Sequence, residues 1–268
     1  MQMVRSLRKE SASGIHHVIL RGVSRQEILH DDSDCRRFLD TVLKYKRNAG
    51  VQVYGWCLMR NHVHLLIREG EEEISATMKR IAVSYARYYN DKYEVSGHVF
   101  QDRFRSQPVE TDGYLMRVTR YIHQNPVKAG FVVKPDDWQW SSCLGYYGRP
   151  VYPVGLLDKE FVLELFGQDG RFFKERFIEF NEERRHDPGD QDCDNCIEDM
   201  DKRRGGISDS EARREIEAII APINVAQVKA LPREQRNELL RRIKTVPGMG
   251  QRQAARILGV SPSIMFRA

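Results

Sequence analysis

The stretch from Val51 to Arg68 constrains this chain most. Val51 to Met59 is rich in β-formers, Arg60-Asn61 is a short polar break, and His62 to Arg68 is apolar again. Two such runs separated by two residues predict a β-hairpin. The two-residue period of a strand places Val51, Val53, Gly55 and Cys57 on one side of the first arm. On the second arm His62, His64 and Leu66 share one face, and Val63, Leu65 and Ile67 the other. A core-facing strand needs no polar residues, yet this one presents two imidazoles side by side. Neutral imidazoles in that arrangement offer two ligands to one divalent ion. They equally fit ordinary histidines satisfied within a sheet.

The elements around the hairpin follow from periodicity and caps. Ile15 to Arg21 reads as a strand and Gly22 to Asp32 as a connection. Ser33 reads as the N-cap of a helix carrying Leu39, Val42, Leu43 and Lys46 inward and stopping at Asn48-Ala49-Gly50. After Glu71-Glu72-Glu73 a second helix buries Ile74, Met78, Ile81 and Tyr85, with Lys79, Arg80 and Arg87 on its basic side. Gly97 to Ser106 reads as a fourth strand. Thr111 or Asp112 caps a third helix with Leu115, Val118 and Ile122 inward, which Pro126 is expected to end. The order β-α-β-β-α-β-α predicts an α+β fold, a ferredoxin-like or RRM-like antiparallel sheet with helices on it, followed by an all-α C-terminal region. The expected organisation is 1–150 as the sheet domain, 151–185 as a helical extension anchored by Phe161, Phe166, Phe173 and Phe177, 186–206 as an acidic linker, and 207–268 as a small helical unit.

The third helix adds chemistry. Tyr121 and Asn125 stand four residues apart and so share a helix face. An amide oxygen suits a hard cation such as magnesium or manganese. A phenol is a poor nucleophile at its usual pKa of ~10. Beside a phosphate polarised by a metal it can attack in line and form a phosphotyrosine. A link of that kind keeps the energy of the broken phosphodiester, which permits strand transfer. Plain packing of Tyr121 at the core edge, with Asn125 capping the helix end, is the competing account of the same residues.

Charge is distributed in blocks, +6 over residues 1–157, −9 over 158–201 and +8 over 202–268. Two basic units around an acidic segment fit an anionic polymer as partner. They also fit solvated helix faces. Five cysteines, an odd and sparse set, do not make a secreted disulfide scaffold. The first residues carry no signal-peptide core and no run reaches the ~18 apolar residues of a membrane span, so a cytoplasmic, nucleoid-associated protein is expected. Cys193 and Cys196 form a lone C-x-x-C, too few ligands for zinc.

Four blocks in order carry a family resemblance: His17-Val18-Ile19-Leu20-Arg21-Gly22-Val23-Ser24-Arg25-Gln26, Leu58-Met59-Arg60-Asn61-His62-Val63-His64-Leu65-Leu66, Gly97-His98-Val99-Phe100-Gln101-Asp102-Arg103-Phe104, and Tyr121-Ile122-His123-Gln124-Asn125-Pro126-Val127-Lys128-Ala129-Gly130. Over about 14–148 the chain resembles the REP-associated tyrosine transposases, a branch of the HUH single-strand transposases. The resemblance implies His62 and His64 as metal ligands, Tyr121 as nucleophile, and Asn125 as third ligand, where the broader group often has glutamine. It implies cleavage and rejoining of single-stranded DNA beside hairpins of repeated extragenic palindromes, with magnesium or manganese. Related transposases act as dimers with the tyrosine supplied in trans, while the repeat-associated branch works alone, so a homodimer stays open.

Arg21, Arg25, Arg103 and Arg105 stand near the site end of the sheet, where cations can hold phosphates. Tyr88, Tyr89 and Phe104 are candidates for base stacking and, as readily, for the core. Gln251 to Ile264 resembles a helix-turn-helix, with Ala255 at the crossing, Gly259 at the turn and Ser261 as the next cap. Two other accounts are weighed against the transposase. A DNA-binding regulator with a vestigial catalytic domain would bind hairpins without cutting. An RRM-like RNA-binding module would show stacking aromatics on its sheet face and no metal effect.

Overall fold

The computed structural model describes residues 11–167, 172–183 and 206–268. Four strands make one antiparallel sheet: β1 (Ile15–Arg21), β2 (Gln52–Met59), β3 (His62–Arg68) and β4 (Arg105–Pro108), in the order β2-β3-β1-β4. Helices α1 (Asp32–Ala49) and α2 (Ile74–Tyr93) cover one face and α3 (Asp112–Lys128) the other. The expected ferredoxin-like α+β order is present.

The strand alternation builds two separate apolar layers. Val18, Leu20, Val63, Leu65, Trp56 and Leu58 pack with Phe38, Leu39, Met78, Ile81 and Tyr85 of α1 and α2. Cys57, Met59 and Leu66 pack instead with Leu115, Val118, Tyr121 and Ile122 of α3. Each fully buried aliphatic or aromatic side chain contributes about 1.5–3 kcal/mol, so both layers are needed to hold a sheet this small. The outer edge of β2 is covered by the segment after α3. Leu58 N donates to Trp140 O at 3.0 Å, and Ser142 N donates to Trp56 O at 3.0 Å. Paired in this way, β2 offers no open backbone edge.

Several local expectations need correction. Asp31, not Ser33, caps α1, because its carboxylate accepts from Asp34 N at 3.0 Å and Asp34 answers in a capping box. Ser33 instead bonds Asp31 at 2.7 Å. Val53 and Cys57 do not share a side, since a β-bulge between Val53 and Gly55 moves Val53 to the α1/α2 layer. The fourth strand is shorter than Gly97 to Ser106. Only Arg105–Pro108 pairs with β1, and the chain before it follows the end of β1 irregularly, with Gln101 N donating to Arg21 O at 2.8 Å. Pro126 does not end α3, which runs to Lys128; the last turn is held by Ala129 N donating to Asn125 O at 2.9 Å. A proline there forfeits one backbone bond without breaking the final turn.

Beyond the sheet, α4 (Cys143–Tyr146), α5 (Glu160–Glu164) and α6 (Phe173–Glu182) pack onto the α3 side, with Val162 and Phe177 fully buried. The expected acidic linker, save Gly206, and the Cys193/Cys196 pair lie outside the described residues. Helices α7 (Asp209–Ile220), α8 (Arg233–Lys244), α9 (Gln251–Leu258) and α10 (Pro262–Arg267) enclose their own core of Ile216, Leu240, Ile243, Ala255 and Leu258. Gly259 turns the chain at φ +66°, and Ser261 accepts from Ile264 N at 3.3 Å to start α10. This unit rests on the β1–α1 connection. Lys229 donates to Gln26 at 3.1 Å and Arg213 pairs with Glu27.

Candidate active site

Strand register brings the site together. Arg21 stands opposite His62, Ile19 opposite His64, and His17 opposite Leu66, all on the face that α3 covers. From β4, Gln107 stands opposite His17 and Arg105 opposite Ile19 on that face. The rings of His62 and His64 lie 4.9 Å apart, nearly perpendicular. Tyr121 reaches down from α3 with its ring edge-on to both His64, at 5.7 Å, and His17, at 5.8 Å. The two sequence-distant pieces, the two-histidine strand and the tyrosine helix, therefore meet on the sheet face that α3 covers.

The hydrogen bonds of these imidazoles are directional. His62 Nδ1 bonds Asn61 Oδ1 at 2.6 Å, and His64 Nδ1 bonds His17 Nε2 at 2.9 Å. The Nε2 atoms of His62 and His64 are buried with no hydrogen-bond partner among the described residues. Leaving a buried polar atom unsatisfied costs about 1–3 kcal/mol, a cost that a ligand at these two nitrogens would relieve. Burial, followed by the charge of Arg21, pushes His62 down to about 3. Burial, with His62, His17 and Arg21 adding to it, holds His64 well below the ordinary histidine value. His17 is lowered to about 4 by burial, with Gln107 opposing. Burial thus favours the neutral form of all three rings, the form that metal ligation requires.

A cation is consistent with this donor set. Two unsatisfied Nε2 atoms on rings whose Nδ1 atoms are already engaged form a two-imidazole set. Among the described residues no three His, Cys, Asp or Glu side chains converge on one point, so further ligands have to be an amide, water or a phosphate oxygen. Asn125 is buried one turn beyond Tyr121 on α3. Its Nδ2 donates to Tyr121 O at 2.8 Å, a bond that does not engage its Oδ1.

The four arginines divide. Arg21 and Arg105 flank the histidine face at the ends of β1 and β4, while Arg103 is exposed in the loop before β4. Arg25 lies in a turn at φ +62°, and its carbonyl accepts from Asn61 Nδ2 at 3.5 Å. Tyr89 and Phe104 are buried in the α1/α2 layer, and Tyr88 lies against Arg37 at 5.4 Å, so none of the three joins the histidine face.

Three neighbours escaped the sequence reading. His17 and Asn61 hold the Nδ1 atoms of the histidine pair, and Lys128 places its ammonium 4.9 Å from the Tyr121 ring centre. A signal for His17 existed, since the alternation that pairs His62 with His64 also aligns His17, Ile19 and Arg21 on β1.

Residues 11–125 match the family model described as Transposase IS200 like. Within that class the resemblance is to the REP-associated tyrosine transposases. The chain is 24% identical over 115 residues to the REP-associated tyrosine transposase of Escherichia coli (strain K12), covering 42% of this chain and 67% of that protein. It is 29% identical over 109 residues to a putative REP-associated tyrosine transposase of Haemophilus influenzae, covering 36% of this chain and 61% of that one. The chain thus spans about two thirds of the length of these relatives. A solved REP-associated tyrosine transposase bound to a REP hairpin aligns with 20% identity and a TM-score of 0.47, over 57% of this chain and 89% of the other. A putative transposase from Deinococcus radiodurans R1 aligns with 17% identity and a TM-score of 0.32, over 45% and 97%. No helix among the described residues is long and apolar enough to cross a membrane.

Proposed function

We propose that this protein is a metal-dependent single-stranded DNA transposase or endonuclease that cleaves and rejoins DNA beside hairpins through Tyr121. The observation that carries the reading is the Tyr121 ring lying 5.7 Å from His64, whose Nε2 is buried without a hydrogen-bond partner among the described residues. His62, His64 and Asn125 would hold a magnesium or manganese ion. Bound there, the ion polarises the scissile phosphate. Arg21 and Arg105 steady the flanking phosphates, with Arg25 and Arg103 extending the contact. Tyr121 supplies the nucleophile. Its oxygen bonds to phosphorus, the bond from phosphorus to the departing strand's oxygen breaks, and the phenolic proton ends on the released hydroxyl. The phosphotyrosine keeps the ester energy, so a strand hydroxyl reverses the step and rejoins DNA. The DNA partner follows the names of the curated relatives, REP-associated tyrosine transposases.

One observation favours a second reading. Tyr121 is 1% exposed, as expected of a packed residue in a vestigial site, and a hairpin-binding regulator that does not cut would tolerate that. Incubation with magnesium or manganese and a hairpin-bearing single strand separates the two. A denaturation-resistant protein–DNA adduct supports the transposase, and hairpin binding without an adduct supports the regulator.

A further inference from the structure

We propose that His17 is a positioning residue: it fixes the tautomer in which His64 presents Nε2 to a cation. The inference rests on the reading of His62 and His64 as a metal pair. The contact between His17 Nε2 and His64 Nδ1, at 2.9 Å between two fully buried rings, has room for one proton. If His64 donates, its Nε2 is a bare lone pair and can ligate. If His17 donates, His64 carries its proton on Nε2 and cannot. The tautomer of His17 therefore decides whether His64 is a ligand.

Two features select the productive arrangement. The His64 Nε2 atom has no acceptor among the described residues, so a proton placed there would be buried and unbonded. His17 Nδ1 makes no hydrogen bond among the described residues either, and Gln107, opposite His17 in the β1–β4 pairing, has the side-chain carbonyl that would take a proton from it and leave Nε2 to accept. The two ring planes are nearly parallel, at 20° with centroids 5.2 Å apart, so the bonded nitrogens face each other edge to edge. His17 is not a third ligand, because its Nε2 is spent on the Nδ1 side of His64, away from Nε2. The counterpart on the other ring is Asn61, whose Oδ1 accepts from His62 Nδ1.

The test uses the full chain with ¹⁵N-labelled histidine. Two-bond proton–nitrogen correlation spectra of the metal-free protein should show His64 protonated at Nδ1 and bare at Nε2, with His17 protonated at Nδ1. Calorimetric titration with manganese should give about 10–100-fold weaker binding for His17→Phe than for the unaltered chain. His17→Gln, whose amide oxygen can accept the same proton, should recover most of that loss. Circular dichroism of each variant checks the fold. A His64 ring protonated at Nε2 in the unaltered protein overturns the proposal, as does a folded His17→Phe that binds manganese at full strength. If His17→Phe does not fold, the His64 tautomer and the His17→Gln titration decide. If the unaltered chain binds no manganese, the metal reading fails by itself, and the His64 tautomer still decides the role of His17.

Discussion

Glu27 and Arg213 form an ion pair in the interior, joining the β1–α1 connection to the first helix of the C-terminal unit. Their side chains are only 3% and 10% exposed, and His30 and Arg60 also approach Glu27, at 3.6 and 3.8 Å. The C-terminal helices are thus fastened a few residues from Arg21 and Arg25, at the site end of the sheet. Removing Arg213 leaves the buried Glu27 carboxylate with Arg60 alone as a cationic neighbour, so Arg213→Ala should lower stability toward the lower end of about 3–5 kcal/mol. The double change Glu27→Gln, Arg213→Met should cost clearly less. Urea unfolding followed by fluorescence checks both.

Gly22 closes the same corner. Its N–H donates to Asn61 O at 2.9 Å, and a Cβ there would stand 2.2 Å from Gln26 O. The obstruction is backbone and cannot rotate aside. Gly22→Ala should therefore destabilise by about 1–3 kcal/mol, the usual cost of overpacking. By shifting Asn61 it should also weaken manganese binding through His62. Thermal unfolding and titration calorimetry read the two effects separately.

Acid should destabilise the fold over a defined window. Burial lowers His30 to about 4 and His123 to about 3, from an ordinary value of 6.5. Above 6.5 both states leave these rings neutral and stability is complete. As the pH falls through 6.5 the unfolded chain takes up protons the folded chain refuses, and stability declines until the folded rings titrate near 3–4. The slope is at most about 1.4 kcal/mol per pH unit for each histidine. His17, His62 and His64 act in the same direction. His123 bonds Ser142 Oγ at 2.8 Å, so His123→Gln, which can keep a hydrogen bond without titrating, should flatten the pH dependence measured by urea midpoints between pH 4 and 6.5.

Arg21 and Arg105 make a pair for testing DNA contact. If each holds one phosphate, Arg21→Ala and Arg105→Ala should weaken single-strand binding for every sequence tested and reduce the salt slope by about one each. Fluorescence anisotropy across a salt series gives both quantities. An unchanged slope would remove these residues from the DNA interface.

The local part of this architecture was readable in advance, and the long-range part was not. His62 and His64 share a face because strands repeat every two residues, and Tyr121 stacks on Asn125 because helices repeat every 3.6; both rules need only a short window. His17 needs the pairing of β1 with β3, across 47 residues, before its ring is known to meet His64. The bulge between Val53 and Gly55 reverses the sides of half of β2 and leaves no mark on an alternating apolar run. Asp31 outcompetes Ser33 as a cap because Asp34 completes the reciprocal bonds, a choice set by geometry between neighbouring good candidates. Docking of Lys229 and Arg213 on Gln26 and Glu27 joins residues about 200 positions apart, and no periodicity reports it.

The nucleophile is the centre of the account, and one measurement addresses it. Purified protein is incubated with a hairpin-bearing single strand and manganese, denatured, digested and mapped by mass spectrometry. The account predicts a nucleotide attached through phosphate to Tyr121, absent from Tyr121→Phe. An adduct of equal yield in Tyr121→Phe, or one mapped to another side chain, would contradict it.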